Sequence, residues 1–245
     1  MKLNPSKCVF GVTSGKFLGF MVSQRGIEAN SEKFQAIINM ISPRIVKEVQ
    51  KLTGRIAALN KFVFRATNKC LLFFKTLKQA FAWTDECETA FQELKPYLSD
   101  PPLLSLSKRG ENLYLYLAVS TTVSAALIRE EAKKQLPVYY VSQAFQGAES
   151  NYPRIAKITF ALIVASRKLR QYFQANPILV MTDQLIKKSM NKPEATRRMV
   201  QWAIELSQFD IEYLPRTAIK AQALADFIAE FTFLDEDNPT NKAER

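Results

Sequence analysis

The sequence predicts an α+β fold: a mixed five-stranded sheet with helices, preceded by a small β-hairpin and a helical segment. Three observations predict it. Residues 113–131 read LYLYLAVSTTVSAALIREE, two apolar runs around the polar turn Ser120-Thr121-Thr122, which is a hairpin pattern. The apolar helical stretch NYPRIAKITFALIVASRKLRQYF separates that hairpin from a later strand, ILVMT, as a crossover connection does. Residues 31–98 show helical rather than alternating periodicity.

The elements follow in order. CVFGVT and KFLGFMVS flank Ser14-Gly15, which predicts a turn there, and Gln24-Arg25-Gly26 predicts a second turn returning at Ile27-Glu28. Ser31 can cap a helix whose apolar face is Phe34, Ile37, Ile38 and Ile41, ended by Ser42-Pro43. Val49, Leu52, Ile56, Leu59 and Val63 repeat at helical spacing in the next stretch, and 68–81 can form another helix. Thr84 or Asp85 caps DECETAFQELKPYL, with Phe91, Leu94 and Leu98 facing inward and Trp83 expected beside Phe91 in the core. Ser99-Asp100-Pro101-Pro102 stops that helix, and 103–111 reads as a linker at a domain boundary.

Beyond the linker come the hairpin of 113–130, a third strand at 137–142 and a long helix over 153–173 with Pro153 in its first turn. A fourth strand at 178–182, helical segments near 184–190 and 195–208, a fifth strand in FDIEYLPR and a last helix in AIKAQALADFIAEF complete the order. Residues 234–245 have no apolar pattern and are expected to be disordered.

Composition narrows the chemistry. The chain has no histidine, so Ser-His-Asp and Cys-His nucleophile systems and His-containing zinc sites are excluded. Its three cysteines, Cys8, Cys70 and Cys87, lack CxxC spacing and are expected to be reduced, intracellular thiols. There is no GxxxxGK[ST] or GxGxxG loop. No apolar run approaches the roughly 18 residues of a membrane span, so no membrane partner is expected. The net charge of +11 is uneven: residues 1–80 hold 14 Lys+Arg against 3 Asp+Glu, whereas 81–245 hold 20 against 20. Such a basic third attracts polyanions, of which phosphate backbones are the commonest inside cells, although a merely soluble lysine-rich surface has the same composition.

Two acids stand where chemistry could occur. Asp183 ends an apolar strand at the carboxyl edge of the sheet, and Asp226 lies in the final helix among Ala225, Phe227 and Ile228. Carboxylates from separate elements can share Mg²⁺ in phosphodiester cleavage. Equally, Asp183 can be a helix cap and Asp226 a solvated helical residue.

At this point long blocks of the chain resemble a known family. MKLNPSKCVFGVTSGKFLGFMVS, KEVQKLTGRIAALNKFVF, WTDECETAFQELKPYLSDPPLL, LYLYLAVSTTVSAALIREE, PVYYVSQAF, NYPRIAKITFALIVASRKLRQYF and QWAIELSQFDIEYLPRTAIKAQALADFIAEFT resemble, in order, the C-terminal part of the reverse transcriptase/RNase H polyprotein of gypsy-type LTR retrotransposons, plant ones especially. The resemblance implies that 1–30 is the end of a polymerase palm, 31–102 a thumb and connection, and 103–233 an RNase H-like domain. It implies RNA-directed DNA synthesis and RNA–DNA hybrid cleavage at family level, Mg²⁺ as cofactor, a hybrid or duplex as partner, and neighbouring polyprotein domains. Lys47, Lys51, Arg55, Lys61 and Arg65 are the implied contacts to the nucleic-acid backbone.

The family's acids are incomplete. No Asp-Asp pair exists in the chain, so the polymerase motif is absent. Of four RNase H acids, Asp183 and Asp226 match the third and fourth. The first should fall near Ala118, where the turn also looks one residue short, and the second at Ala156 or Ile158. Glu149, just before the long helix, is the one nearby acid that could substitute. The expectation is a nucleic-acid-binding chain without catalysis, with Mg²⁺ held weakly if at all. An active Mg²⁺-dependent hybrid endonuclease and a non-enzymatic scaffold module of a larger polymerase are the alternatives.

Overall fold

A computed structural model describes residues 11–17, 20–23, 26–29, 31–59, 62, 72–73, 76, 82–99, 103–120, 122–182, 186–190 and 196–215. Strands β1 (Ser14–Phe17), β2 (Phe20–Ser23) and β3 (Gly26–Ala29) form an antiparallel sheet in that order. The expected turn at Ser14-Gly15 is wrong: both residues lie within β1, and Phe17 pairs with Phe20 across the reversal. Within the apolar run KFLGF, β1 ends at Phe17 and β2 begins at Phe20.

Helices α1 (Ser31–Ile38), α2 (Val46–Ala58) and α3 (Asp85–Ser99) follow. Phe34 and Ile37 on α1 are buried as expected, but Ile41 lies beyond the helix end and is 79% exposed. Helix α2 buries Val49, Leu52 and Ile56, with Leu59 at its C-cap. Glu48 in its first turn accepts a hydrogen bond from the Arg44 backbone N–H at 2.7 Å. Helix α3 starts at Thr84, whose hydroxyl accepts the Cys87 N–H at 3.3 Å, and buries Phe91, Leu94 and Leu98. The helix expected over 68–81, Val63, the last helix and the tail 234–245 lie wholly or largely outside the described residues.

The second sheet has the order β6-β5-β4-β7-β8. Strands β4 (Leu113–Val119), β5 (Thr122–Glu131) and β6 (Lys134–Ala144) are antiparallel. The third strand is longer than the expected 137–142. It is extended by a tight turn in which Ala132 and Lys133 both have positive φ, 50° and 65°. That is the handed turn a two-residue hairpin needs, made without the usual Asn-Gly. Opposite Leu127 and Ile128 the register slips, and Pro137 is accommodated there.

Helices α4 (Arg154–Lys168) and α5 (Arg170–Ala175) make the crossover to β7 (Ile178–Met181), parallel to β4. The single long helix expected over 153–173 breaks at Leu169, and Pro153 is its N-cap. After α6 (Ile186–Met190) and α7 (Arg197–Leu206), β8 (Ile211–Leu214) pairs parallel with β7. One sheet face, with Leu113, Leu115, Leu117, Ala125 and Leu127, packs on α4. The other, with Tyr116, Ala118, Ala126, Ile128 and Met181, shares a core with Phe34, Leu52, Phe91, Leu94 and Leu104. The N-terminal helices and the sheet therefore share one hydrophobic core.

The α1–α2 connection is pinned to α3. Glu88 accepts hydrogen bonds from Ser42 Oγ (2.8 Å), Trp83 Nε1 (2.8 Å) and Gln92 Nε2 (2.7 Å), and these donors hold its carboxyl below the ordinary value. A depressed carboxyl contributes stability that is present above the unfolded pKa of about 4.5 and is lost as pH falls through the folded value. Glu88→Gln should therefore flatten the acid limb of a stability–pH profile while changing little at neutral pH beyond the lost bonds. Urea melts from pH 7 to 3 measure this, and parallel profiles would refute it.

Trp83 is half-buried rather than fully enclosed. It stacks on Phe73 at 5.5 Å and meets Phe91 edge-on at 6.1 Å. Trp83→Ala should cost about 2–4 kcal/mol, below the full value for an enclosed aromatic. Chemical denaturation measures it, and a change within error would show that these ring contacts contribute nothing.

Candidate functional site

Of the implied acid positions, the sheet places Ala118 near the carboxyl end of β4. Strands β4 and β7 run parallel, so their carboxyl ends lie side by side, with Tyr116 opposite Met181. Thr182 continues the edge, donating its N–H to the Leu214 carbonyl at 2.8 Å. Asp183 follows Thr182 in the chain, but it lies outside the described residues, as do Asp226, Lys61 and Arg65.

The other two positions are apolar and enclosed. Ala118 is 3% exposed and sits in the core between sheet and N-terminal helices. Ala156 and Ile158 are buried in the layer between α4 and the sheet. The floor beside Ala118 is nevertheless polar. Ala118 pairs with Ser124, Ser124 with Ser142, and Thr122 with Ala144. The hydroxyls of Thr122, Ser124 and Ser142 are buried and find no hydrogen-bond partner among the described residues. Unpaired buried hydroxyls cost free energy, so such a row is where a missing polar partner belongs.

Glu149 does not fill the gap. Its carboxylate accepts the Gln146 N–H at 2.8 Å, capping a short 3-10 turn at Gly147–Asn151. Among the described residues no group of three or more Asp, Glu, Cys or His could hold a metal ion. The described residues therefore do not fit a two-metal Mg²⁺ site: alanine, alanine and isoleucine offer no oxygen ligand where the resemblance implies carboxylates.

Next to this end lies a cluster that sequence reasoning did not single out. Tyr152, Phe160 and Trp202 meet with centroids about 6 Å apart, and Phe145 stacks on Phe160 at 6.2 Å. The Arg198 guanidinium lies 4.0 Å over Tyr152 and 5.4 Å from Trp202, and Lys157 Nζ lies 5.4 Å over Phe145. The cluster locks the loop before α4 to the start of α7. The aromatic residues of NYP and RRMVQW were its only signal in the sequence.

The basic N-terminal positions are distributed unequally. Lys47 and Lys51 are exposed on α2, one turn apart. Arg55 is half-buried, and its Nη1 donates to the Ala36 carbonyl and approaches Met40 Sδ at 3.8 Å. Lys33, Lys51 and Arg55 border a groove of about 430 Å³ between α1 and α2, floored by Ala36, Gly54 and Ala58.

Comparison with known proteins decides the nature of the sheet. Residues 83–180 match the RNase H-like domain found in reverse transcriptase. The matched stretch spans α3, the linker and the sheet through most of β7. The chain is 26% identical over 251 residues to the Transposon Tf2-3 polyprotein of Schizosaccharomyces pombe, and equally to the Tf2-4 polyprotein. That alignment covers 98% of this chain and 19% of the polyprotein, so the chain spans about a fifth of the length of these relatives. A foamy viral protease-reverse transcriptase in complex with dsDNA superposes with TM-score 0.70 and 22% identity, covering 86% of this chain and 46% of that one. A foamy viral protease-reverse transcriptase in complex with an RNA/DNA hybrid gives TM-score 0.70 and 22% identity over 84% and 30%. These likenesses establish the mixed-sheet RNase H-like fold.

If the hydroxyls unpaired among the described residues mark the place of a carboxylate, Ala118→Asp should be tolerated only with a bound cation. Ala118→Asp combined in turn with Ala156→Glu or Ile158→Glu should lower the melting temperature in EDTA and recover part of the loss with Mg²⁺. The unmodified chain should show no Mg²⁺ shift. Two double variants that are equally destabilised with and without Mg²⁺ would show that this end of the sheet cannot hold an ion.

Proposed function

We propose that this chain is the C-terminal thumb, connection and RNase H-like part of a gypsy-type LTR retrotransposon reverse transcriptase, and that it binds a nucleic-acid duplex without cleaving it. The RNase H-like domain and the Tf2 polyproteins support the retrotransposon part of the reading. The observation that carries the catalytic part is Ala118, buried and apolar at the strand end where the first metal-binding acid belongs. Two-metal hydrolysis needs one ion to activate water and another to stabilise the leaving oxygen, and this chain lacks the carboxylates to hold both. Asp183 and Asp226 remain as vestigial acids. Binding rests on the basic first third, including Lys47, Lys51, Arg55, Lys61 and Arg65, through phosphate contacts that carry no sequence information.

Two measurements test this. A nuclease-free preparation with Mg²⁺ or Mn²⁺ should leave an RNA–DNA hybrid intact. Cleavage abolished by Asp183→Asn would overturn the reading in favour of an active endonuclease. Binding of the full chain to the hybrid should weaken steeply with salt, and Lys47→Ala with Lys51→Ala should reduce the log–log slope by about 0.9 per lost phosphate contact. No binding at low salt would leave the chain as a scaffold module.

A further inference from the structure

The groove between α1 and α2 is left open by the residues that make it. Its floor is Ala36 on α1 with Gly54 and Ala58 on α2, and it offers about 430 Å³. That is the size of a small binding pocket, about 300–1,000 Å³. Gly54 lies inside α2, has no positive φ, and would meet no atom within 4 Å if it carried a Cβ. A glycine inside a helix is less stable than an alanine, and here neither the backbone nor the packing of α2 asks for one. What the missing Cβ keeps is the depth of the groove.

The rim is basic. Lys33, Lys51 and Arg55 border the groove against one acid, Glu32, which is bridged to Lys16 at 3.3 Å. Lys33 Nζ lies 5.2 Å over the Phe20 ring, and Arg55 Nη1 donates to the Ala36 carbonyl. None of the three cations has a carboxylate partner among the described residues. An apolar floor under three such cations suits an occupant that joins a short apolar stretch to several acids.

The chain carries one such segment. Phe233-Leu234-Asp235-Glu236-Asp237 joins two large apolar side chains to the sequence's one run of three consecutive acids, with no basic residue among them. Reach is sufficient. Strand β8 ends at Leu214, which packs against the core that holds Phe34 of α1 and Leu52 of α2. Eighteen residues separate Leu214 from Phe233. They would span about 28 Å even if all were helical, roughly the diameter of a small domain.

We propose that residues 233–237 dock in the α1–α2 groove of their own chain. Phe233 and Leu234 cover the small-residue floor, and the three carboxylates face Lys33, Lys51 and Arg55. The contact stands on the shape and charge of the groove. Its consequence rests on the nucleic-acid reading above: the segment occupies Lys51 and Arg55, which that reading assigns to phosphates, and so competes with a duplex.

The test is zero-length cross-linking of the full chain with a carbodiimide, which joins a carboxylate to a lysine amine as an amide. Peptide mass spectrometry reads the products from a dilute mixture of ordinary and isotope-labelled chain. Amides from Asp235, Glu236 or Asp237 to Lys33 or Lys51 are expected within one isotopic form. Gly54→Leu fills the groove from an exposed position and should remove them, with the melting temperature as the control for folding. Phe233→Ser with Leu234→Ser leaves the groove untouched and should remove them too, so the test survives a Gly54 variant that fails to fold. Amides spread over lysines outside the groove, or amides that either folded variant leaves unchanged, would overturn the proposal. Amides joining labelled to unlabelled chains would overturn it as well, by giving the groove to a second copy. Duplex added before the reagent should lower the yield, and a duplex that binds without lowering it would overturn the competition. Failure of the duplex to bind would remove the nucleic-acid reading and leave the contact to be decided by the cross-link.

Discussion

The structure depends on a short backbone junction at Leu104 and Ser105. Leu104 pairs with Ile27 in both directions, its carbonyl accepting at 2.8 Å and its N–H donating at 3.2 Å. The next residue donates its N–H to the Pro137 carbonyl on β6 at 2.7 Å. One dipeptide therefore ties the three-stranded sheet to the five-stranded sheet, and Leu104 fills the core between them. The junction demands a glycine opposite: a Cβ on Gly26 would sit 2.2 Å from the Leu104 carbonyl oxygen, and its φ of 142° is itself strained for other residues. Just beyond, Arg129, 6% exposed, makes a bidentate bridge to Glu111 at 3.1–3.2 Å and a further contact to Glu131. The bridge anchors the end of the linker to β5, so the segment between the two halves is fastened along its length.

The sequence shows the elements far better than it shows this junction. Periodicity finds α2, α3, β4, β5, β7 and α4 because each buries one face against a neighbour, and the burial repeats at 3.6 or 2 residues. Leu103 to Ser107 alternates too briefly to register, so 103–111 reads as a linker although it is the hinge of the core. The turn at Ala132-Lys133 carries no glycine or asparagine signal, so β6 appears shorter than it is. The misplaced turn at Ser14-Gly15 has the opposite cause: a strong Gly signal falls inside a strand, while the true reversal is hidden in an apolar run.

The candidate site was legible only where the family pattern could be laid on it. No local rule marks Ala118, since an alanine at a buried strand end is unremarkable on its own. Its meaning comes from the resemblance, and its burial comes from the structure. The aromatic cluster with Arg198 was illegible for a different reason. It is assembled from the loop before α4 and the start of α7, far apart in sequence, and its cations lie over ring faces, which leave no charge pattern to read.

The two ends of the molecule make opposite trades. At the sheet end, the positions where the resemblance implies acids hold apolar residues, and the hydroxyls of Thr122, Ser124 and Ser142 find no partner among the described residues. Ala118, Ala156 and Ile158 are buried in the core, beside polar atoms that have no partner among the described residues. At the helical end, aliphatic residues stay in water where capping residues would be more stable, on a loop fixed by Glu88 and Lys95. Selection for stability alone would correct both. Ile41 stays exposed on a loop held by three hydrogen bonds, from Ser42 Oγ to Glu88, from the Arg44 N–H to Glu48 and from Lys95 Nζ to the Met40 carbonyl.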